Sequence, residues 1–432
     1  MNIYQEWGFQ DSPFQTTALP ASELGDSLLV GRNKELNSLL KRMYNPPKIV
    51  TIEGLNGVGK TSLVNVAAYQ AYKKHLEDWN NPLLIPCNRT FQLRPDNVTE
   101  DFIDEVLMAV AQTLIERAKN LKDLGDSIKT GAMDKWLNSP QLQTVQASIS
   151  ILTVGGGGGV SSETNTSSGF QRSGFRKEIV RWLSELFPSP QVGGVICTID
   201  NLELLQTSEV ARKLLEQLRD ELLTVSGLRW VLCGALGIVL GTASSPRLEG
   251  FLHTPIEIKG VDEALANEIL GSRIKAFASD GKQPYLPLLP QDFENLYDIL
   301  NKNLRSVLGR TDNYCQWVAD RDLPKDDNQK RAFFYEWLTM ESETAHKSVI
   351  SQLRPRAWGV FKHSVTLDGV FSPSNYESFG FNSIPAMRPH VKDLEDAGLL
   401  VSTQDEGDKR RKTVQLTPKG WLVNYALRKQ ST

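Results

Sequence analysis

The chain has 432 residues, a formal net charge of −3, 40% apolar and 23% charged residues, the balance of a globular protein long enough for two or three domains and not that of a fibrous or disordered one. A slightly acidic total gives no global attraction to nucleic acid, so any DNA contact has to come from a local patch. Four cysteines without a C-x-x-C pair argue against a zinc site or a disulfide framework, and the lack of a basic, apolar leader or of an apolar run near ~18 residues predicts a cytoplasmic protein with no membrane partner.

Residues 1–29 form a proline-punctuated lead-in whose Trp7, Phe9 and Phe14 are expected to pack on the first domain. Val30-Gly31-Arg32 then opens an amphipathic helix with Leu36, Leu39 and Leu40 on one face. It is either a plain packing helix or a place from which Val30 and Arg32 line an adenine pocket. In KIVTIEGLNGVGKTS (48–62) the apolar run Ile49, Val50, Ile52 reads as a buried strand, and Gly54-x-x-x-x-Gly59-Lys60-Thr61 fits the P-loop pattern. Such a loop turns successive N–H groups onto phosphate oxygens, which assigns Gly54, Asn56, Gly57, Val58, Gly59 and Ser62 to an ATP site. Lys60 is placed on the β/γ-phosphates and Thr61 on Mg²⁺, with a helix from Ser62 to about Lys74.

A second strand is expected at 84–88 and a helix from about Val98 to Lys119. The stretch from Asp123 to Gly169, with its glycine and serine tract, reads either as a loop or as a hairpin arm. A helix from Phe170 leads to the strand Val195–Ile199, which ends on Asp200 with Glu203 three residues on. An aspartate at the carboxyl end of a strand beside the P-loop strand can hold Mg²⁺, and a nearby glutamate can deprotonate the attacking water. Both could instead cap the helix that starts near Ser208. With a further strand at 229–235, strands alternating with helices predict an α/β class, a doubly wound parallel-sheet P-loop NTPase core.

This order of parts resembles an AAA+ or STAND-type P-loop ATPase over about residues 28–320. The resemblance implies Walker A at Gly54 to Thr61, Walker B at Asp200 and a catalytic glutamate at Glu203. It also implies an arginine finger at Arg247, serving a neighbouring subunit in an ATP-state homo-oligomer, and a sensor-2 arginine at Arg305 in NKNLRSVLGR. Two departures stand out: RWVLCGA ends in Gly234 and Ala235 where the family carries a polar sensor-1 residue, and the long gap from Lys60 to Asp200 requires an insertion at about 88–190. The core is thus expected at 30–258 and a helical lid at 259–322.

Residues 345–432 resemble a MarR-like winged helix: MRPHVKDLEDAGLL before a two-stranded wing, and LTPKG after it. The resemblance implies that Arg388, His390 and Lys392 face DNA from the recognition helix, and that Lys409, Arg410, Arg411 and Lys412 lie on wing phosphates. Pro389 is expected at or near the start of that helix. The wing serves either double-stranded DNA or a protein contact. The layout is similar to replication initiators of the Orc/Cdc6 sort, and the rival is a STAND-like scaffold that holds ATP and recruits a protein effector encoded nearby.

Overall fold

The computed structural model describes residues 2–118, 172–205, 208–243, 245–404 and 412–430. The glycine-rich tract and the wing cations Lys409, Arg410 and Arg411 lie outside the described residues.

A five-stranded sheet runs in the order β2-β3-β4-β1-β5, with β1 at Val50–Gly54, β2 at Leu83–Gln92, β3 at Gly193–Asp200, β4 at Leu228–Gly234 and β5 at Ile256–Ile258. Every pairing is parallel. The residues of β1 and β3 are buried throughout, as expected for central strands covered on both faces by helices. One face packs on helices Thr99–Ala118, Arg172–Leu186 and Ser208–Leu218 around Phe91, Phe102, Trp182 and Leu232. The other packs on Asn33–Met43 and Lys60–Glu77 around Leu39, Ile52, Leu63 and Val231. The strand order corrects one expectation: β3, which ends on Asp200, is not beside the P-loop strand, because β4 lies between them.

Helices Ala266–Phe277, Pro290–Ile299, Leu304–Ala319 and Asp327–Ile350 build a second core. Trp7, Phe9 and Phe14 join it and not the sheet, so the lead-in caps this group of helices. Short amphipathic helices leave part of their apolar faces uncovered. The aromatic lead-in closes them, each fully buried ring contributing about 1.5–3 kcal/mol. The backbone is tied in by Gln10 N–H donating to Phe277 O at 2.8 Å and Tyr285 N–H to Trp7 O at 2.8 Å.

The C-terminal part holds a three-stranded antiparallel sheet, β6-β8-β7, from Val370–Phe371, Lys412–Leu416 and Leu400–Gln404. Helices Pro355–Thr366, Ile384–Asp396 and Pro418–Gln430 pack against it around Phe361, Met387, Leu394 and Val414. Helix Asp327–Ile350 is separated from Pro355–Thr366 by Ser351–Arg354, since a residue before proline is kept out of the helical region and Pro355 is suited to a first turn. The helix expected to begin at Pro389 begins at Ile384, with Ser383 accepting from Ala386 N–H at 3.4 Å, and Pro389 lies inside it. The proline withholds one N–H from the exposed Pro385, whose carbonyl water can reach.

Candidate nucleotide-binding site

The loop from Leu55 to Gly59 runs between β1 and helix Lys60–Glu77. Gly57 and Gly59 adopt φ of +85° and +96°, the left-handed region that a side chain disfavours. Gly57 has a second reason to be glycine, because a Cβ there would stand 2.3 Å from Asn303 Oδ1. Lys60 is buried and its ammonium donates back to the carbonyls of Gly54 at 3.0 Å and Leu55 at 3.2 Å. It is held over the loop, within reach of any anion the loop's N–H groups cradle. Arg32, 4% exposed, donates to Val58 O at 2.8 Å and pairs with Glu35 at 3.1 Å, bracing the loop from behind.

Thr61 Oγ1 donates to Asp200 Oδ2 at 2.5 Å, across the end of β4. A hydroxyl and one carboxylate at this spacing fit Mg²⁺, a hard cation commonly held by one or two protein oxygens with phosphate and water completing its shell. Glu203 lies in the 3₁₀ turn Leu202–Leu205 and its Oε2 accepts from Ala235 N–H at 3.0 Å. The strand end that lacks a polar sensor-1 side chain thus supplies a backbone donor, which fixes the glutamate. The thiol of Cys233 reports the local field: burial pushes its pKa well up, Asp200 and Glu203 push it further, and Lys60 opposes them.

Beside the loop lies a cleft of about 620 Å³, counting its open mouth, lined by Leu19, Val30, Val58, Ile269, Arg273 and Arg305 among others. The lead-in forms one wall, pinned by Leu19 N–H to Ser62 Oγ at 3.1 Å and by Asn65 Nδ2 to Leu19 O at 2.8 Å. Arg273, 4% exposed, donates to Pro13 O at 2.9 Å and Gln15 O at 3.3 Å, and burial pushes its guanidinium down to about 10. It therefore stays charged at neutral pH.

The second core meets the loop at the turn before helix Leu304–Ala319. Asn303 Oδ1 caps that helix by accepting from Ser306 N–H at 3.1 Å, while its Nδ2 donates to Asn56 O at 2.8 Å. Arg305 N–H points at Gly57 O at 3.4 Å. The preceding Asn301 and Lys302 both have positive φ, at 51° and 60°, and Asn301 Nδ2 donates to Asp368 O at 3.1 Å in the C-terminal part. Sequence reasoning missed Asn303, Arg273 and residues 16–19. Asn303 as an N-cap before LRSVLGR was the one legible signal.

The structure therefore brings Gly54, Asn56, Gly57, Val58, Gly59, Lys60, Thr61, Ser62, Asp200, Glu203, Val30, Arg32 and Arg305 to one end of the sheet. Arg247 is not among them: it is exposed and stands at 3.9 Å from both Glu216 and Asp220. Arg388 and Lys392 are exposed one turn apart on the same helix face, whereas His390 is turned onto the Phe381 ring, 5.4 Å between centroids. Lys412 opens β8.

No family model and no curated protein matches the sequence. Among solved structures, the chain is similar to the ORC1 protein of Aeropyrum pernix in complex with DNA, with a TM-score of 0.43, 16% identity and 93% of each chain covered. It is also similar to the ORC2 protein of Aeropyrum pernix in ADPNP–ADP complexes, with a TM-score of 0.47, 11% identity and coverage of 98% of this chain and 100% of that one. A Walker-type ATPase of Pyrococcus abyssi gives a TM-score of 0.44 at 13% identity, with 96% and 99% covered.

Proposed function

We propose that this chain is an ATP-binding and ATP-hydrolysing switch whose nucleotide state, passed through a helical lid, governs assembly of copies and the presentation of a C-terminal winged helix to double-stranded DNA. The observation that carries the reading is the turn Asn301–Asn303, which bonds the P-loop at Asn56 on one side and Asp368 of the C-terminal part on the other. A left-handed conformation costs a residue such as Lys302 about 1–2 kcal/mol. The turn is therefore held by its contacts, and a change in the loop is felt at both ends.

In this reading the units are the core at 30–258, the lid at 259–322 and the winged helix at 345–432, with residues 1–29 serving as a strap over the lid. Loop N–H groups and Lys60 bind the phosphates, the lead-in cleft takes the adenosine end, and Thr61 with Asp200 holds Mg²⁺. Bound Mg²⁺ would neutralise charge on the phosphate oxygens. Glu203, fixed by Ala235, accepts a proton from the attacking water, and Arg305 approaches the phosphates from the lid. Arg247, exposed and loosely paired, is available to a neighbouring copy. Arg388, Lys392 and the wing residues Lys409, Arg410, Arg411 and Lys412 supply phosphate contacts on DNA.

Titration of a fluorescent ATP analogue and measurement of phosphate release test the nucleotide half. Lys60→Ala should lose affinity by about 2–4 kcal/mol, the scale of removing a charge-assisted contact in a desolvated cradle. Glu203→Gln should keep ATP bound and slow its hydrolysis. Unchanged affinity in Lys60→Ala would sink the reading.

A further inference from the structure

At the other end of the sheet from the P-loop, a cleft of about 390 Å³, counting its open mouth, lies between the start of β1 and the start of β4. Arg42, Lys48, Arg229 and Trp230 line it. The guanidinium of Arg229 is half-buried and donates to the carbonyls of Pro190 and Gly193, while its Nε is buried without a hydrogen-bond partner. Arg42 donates to Thr254 O at 2.5 Å. Among the described residues no carboxylate stands within ion-pair distance of Arg42, Lys48 or Arg229. Compare Arg176, also partly buried, which pairs with both Glu100 and Asp104 at 2.5 Å.

His253, whose backbone N–H donates to Ile49 O at 2.8 Å, has a buried Nε2 without a hydrogen-bond partner. The electrostatics agree: burial pushes the pKa of Arg42 and Arg229 down, and that of His253 is pushed down by burial, then by Arg42, then by Lys48. Carbonyl dipoles offset only part of a desolvated cation's charge, and buried charges are ordinarily paired. A tetrahedral oxyanion, with several acceptor lone pairs, suits a guanidinium and an ammonium that line one small recess without a carboxylate partner.

We infer that this cleft is a second anion site, distinct from the P-loop, that takes a phosphate group through Arg229 and Lys48, with Arg42 adding positive charge to the lining. The group is either free phosphate or the terminal phosphate of a nucleic-acid strand, and the recess of Arg229 below the surface selects a terminal group over a diester within a duplex.

The test is calorimetric titration in the Lys60→Ala background, so that the P-loop does not contribute. The ligands are inorganic phosphate and a short oligonucleotide with and without a 5′-phosphate. The expected result is saturable binding of phosphate, or of the 5′-phosphorylated strand over the unphosphorylated one, weakened at least tenfold by Arg229→Gln and by Lys48→Gln. Preference for the phosphorylated strand identifies a carried phosphate, and binding of inorganic phosphate alone identifies a free one. Lys48 is exposed, so the second variant stands even where the first fails to fold. Sulfate should compete, and chloride at equal ionic strength should not. Affinity unchanged in both variants, no saturable binding, or displacement by chloride as effective as by sulfate would each overturn the site.

Discussion

Replacing Asn303 separates two roles that one side chain combines. Its Oδ1 caps helix Leu304–Ala319 and its Nδ2 holds the P-loop at Asn56 O. Asn303→Ala removes both, at about 1 kcal/mol for the cap and about 1 kcal/mol for the bond. Asn303→Asp keeps a capping oxygen, as good as asparagine's, but turns a donor into a carboxylate facing a carbonyl. Its cost therefore falls on the lid–loop contact alone, at about 1–2 kcal/mol with the repulsion included. If nucleotide binds with the lid docked, a loss of that size weakens ATP binding by a factor of about 5 to 30. Thermal unfolding and titration of a fluorescent ATP analogue give the two readouts. The melting temperature of Asn303→Asp should stay near that of wild type while its ATP affinity falls, and Asn303→Ala should lose both. An aspartate variant that binds ATP like wild type would refute the coupling, and with it the passage of nucleotide state through the turn.

Gly57→Ala should abolish ATP binding in a protein that still folds, since the new Cβ meets Asn303 Oδ1 at 2.3 Å and the φ of +85° resists any side chain; circular dichroism and the same titration check this. Asp200→Asn should leave metal-free nucleotide binding intact and remove the Mg²⁺-dependent increment, seen by titrating with and without EDTA. His390 gives a pH prediction: burial, then Arg354 and Arg356 against the opposing Asp393, push its pKa below the ordinary value. The folded chain thus prefers the neutral ring. That stability is present above the ordinary value of about 6.5 and is lost as pH falls toward the lower folded value. Urea unfolding across pH 7 to 5 should show the decline, and His390→Gln should flatten it.

The parallel sheet was legible because β1, β3 and β4 are apolar runs between helical segments; Lys60 and Thr61 were legible because the P-loop pattern is local and chemically specific, and Asp200 because it ends an apolar strand. What sequence could not give was adjacency across the fold. Nothing in TTAL at 16–19 says that it walls a cleft beside Ser62, since that depends on Arg273 holding the Pro13 and Gln15 carbonyls 260 and 258 residues away. The strand order was misjudged for the same reason: β4 follows β3 in the chain yet slips between it and β1, and only pairing decides that. On the helix Ile384–Asp396, the sequence grouped Arg388, His390 and Lys392, whereas the helical period sends His390 onto Phe381 and leaves the other two on one face.

Fluorescence anisotropy on duplex DNA with and without Mg-ATP measures whether ATP changes the affinity of the C-terminal part for DNA. Wild type should bind more tightly with Mg-ATP, with log K falling against log salt by about 0.9 per phosphate contacted. Arg388→Glu/Lys392→Glu should weaken binding in both states, and Lys60→Ala should abolish the response to ATP. Binding that is absent, or that ignores both ATP and the charges at Arg388 and Lys392, would rule out a nucleotide-controlled DNA switch and favour a STAND-like scaffold that docks a protein partner.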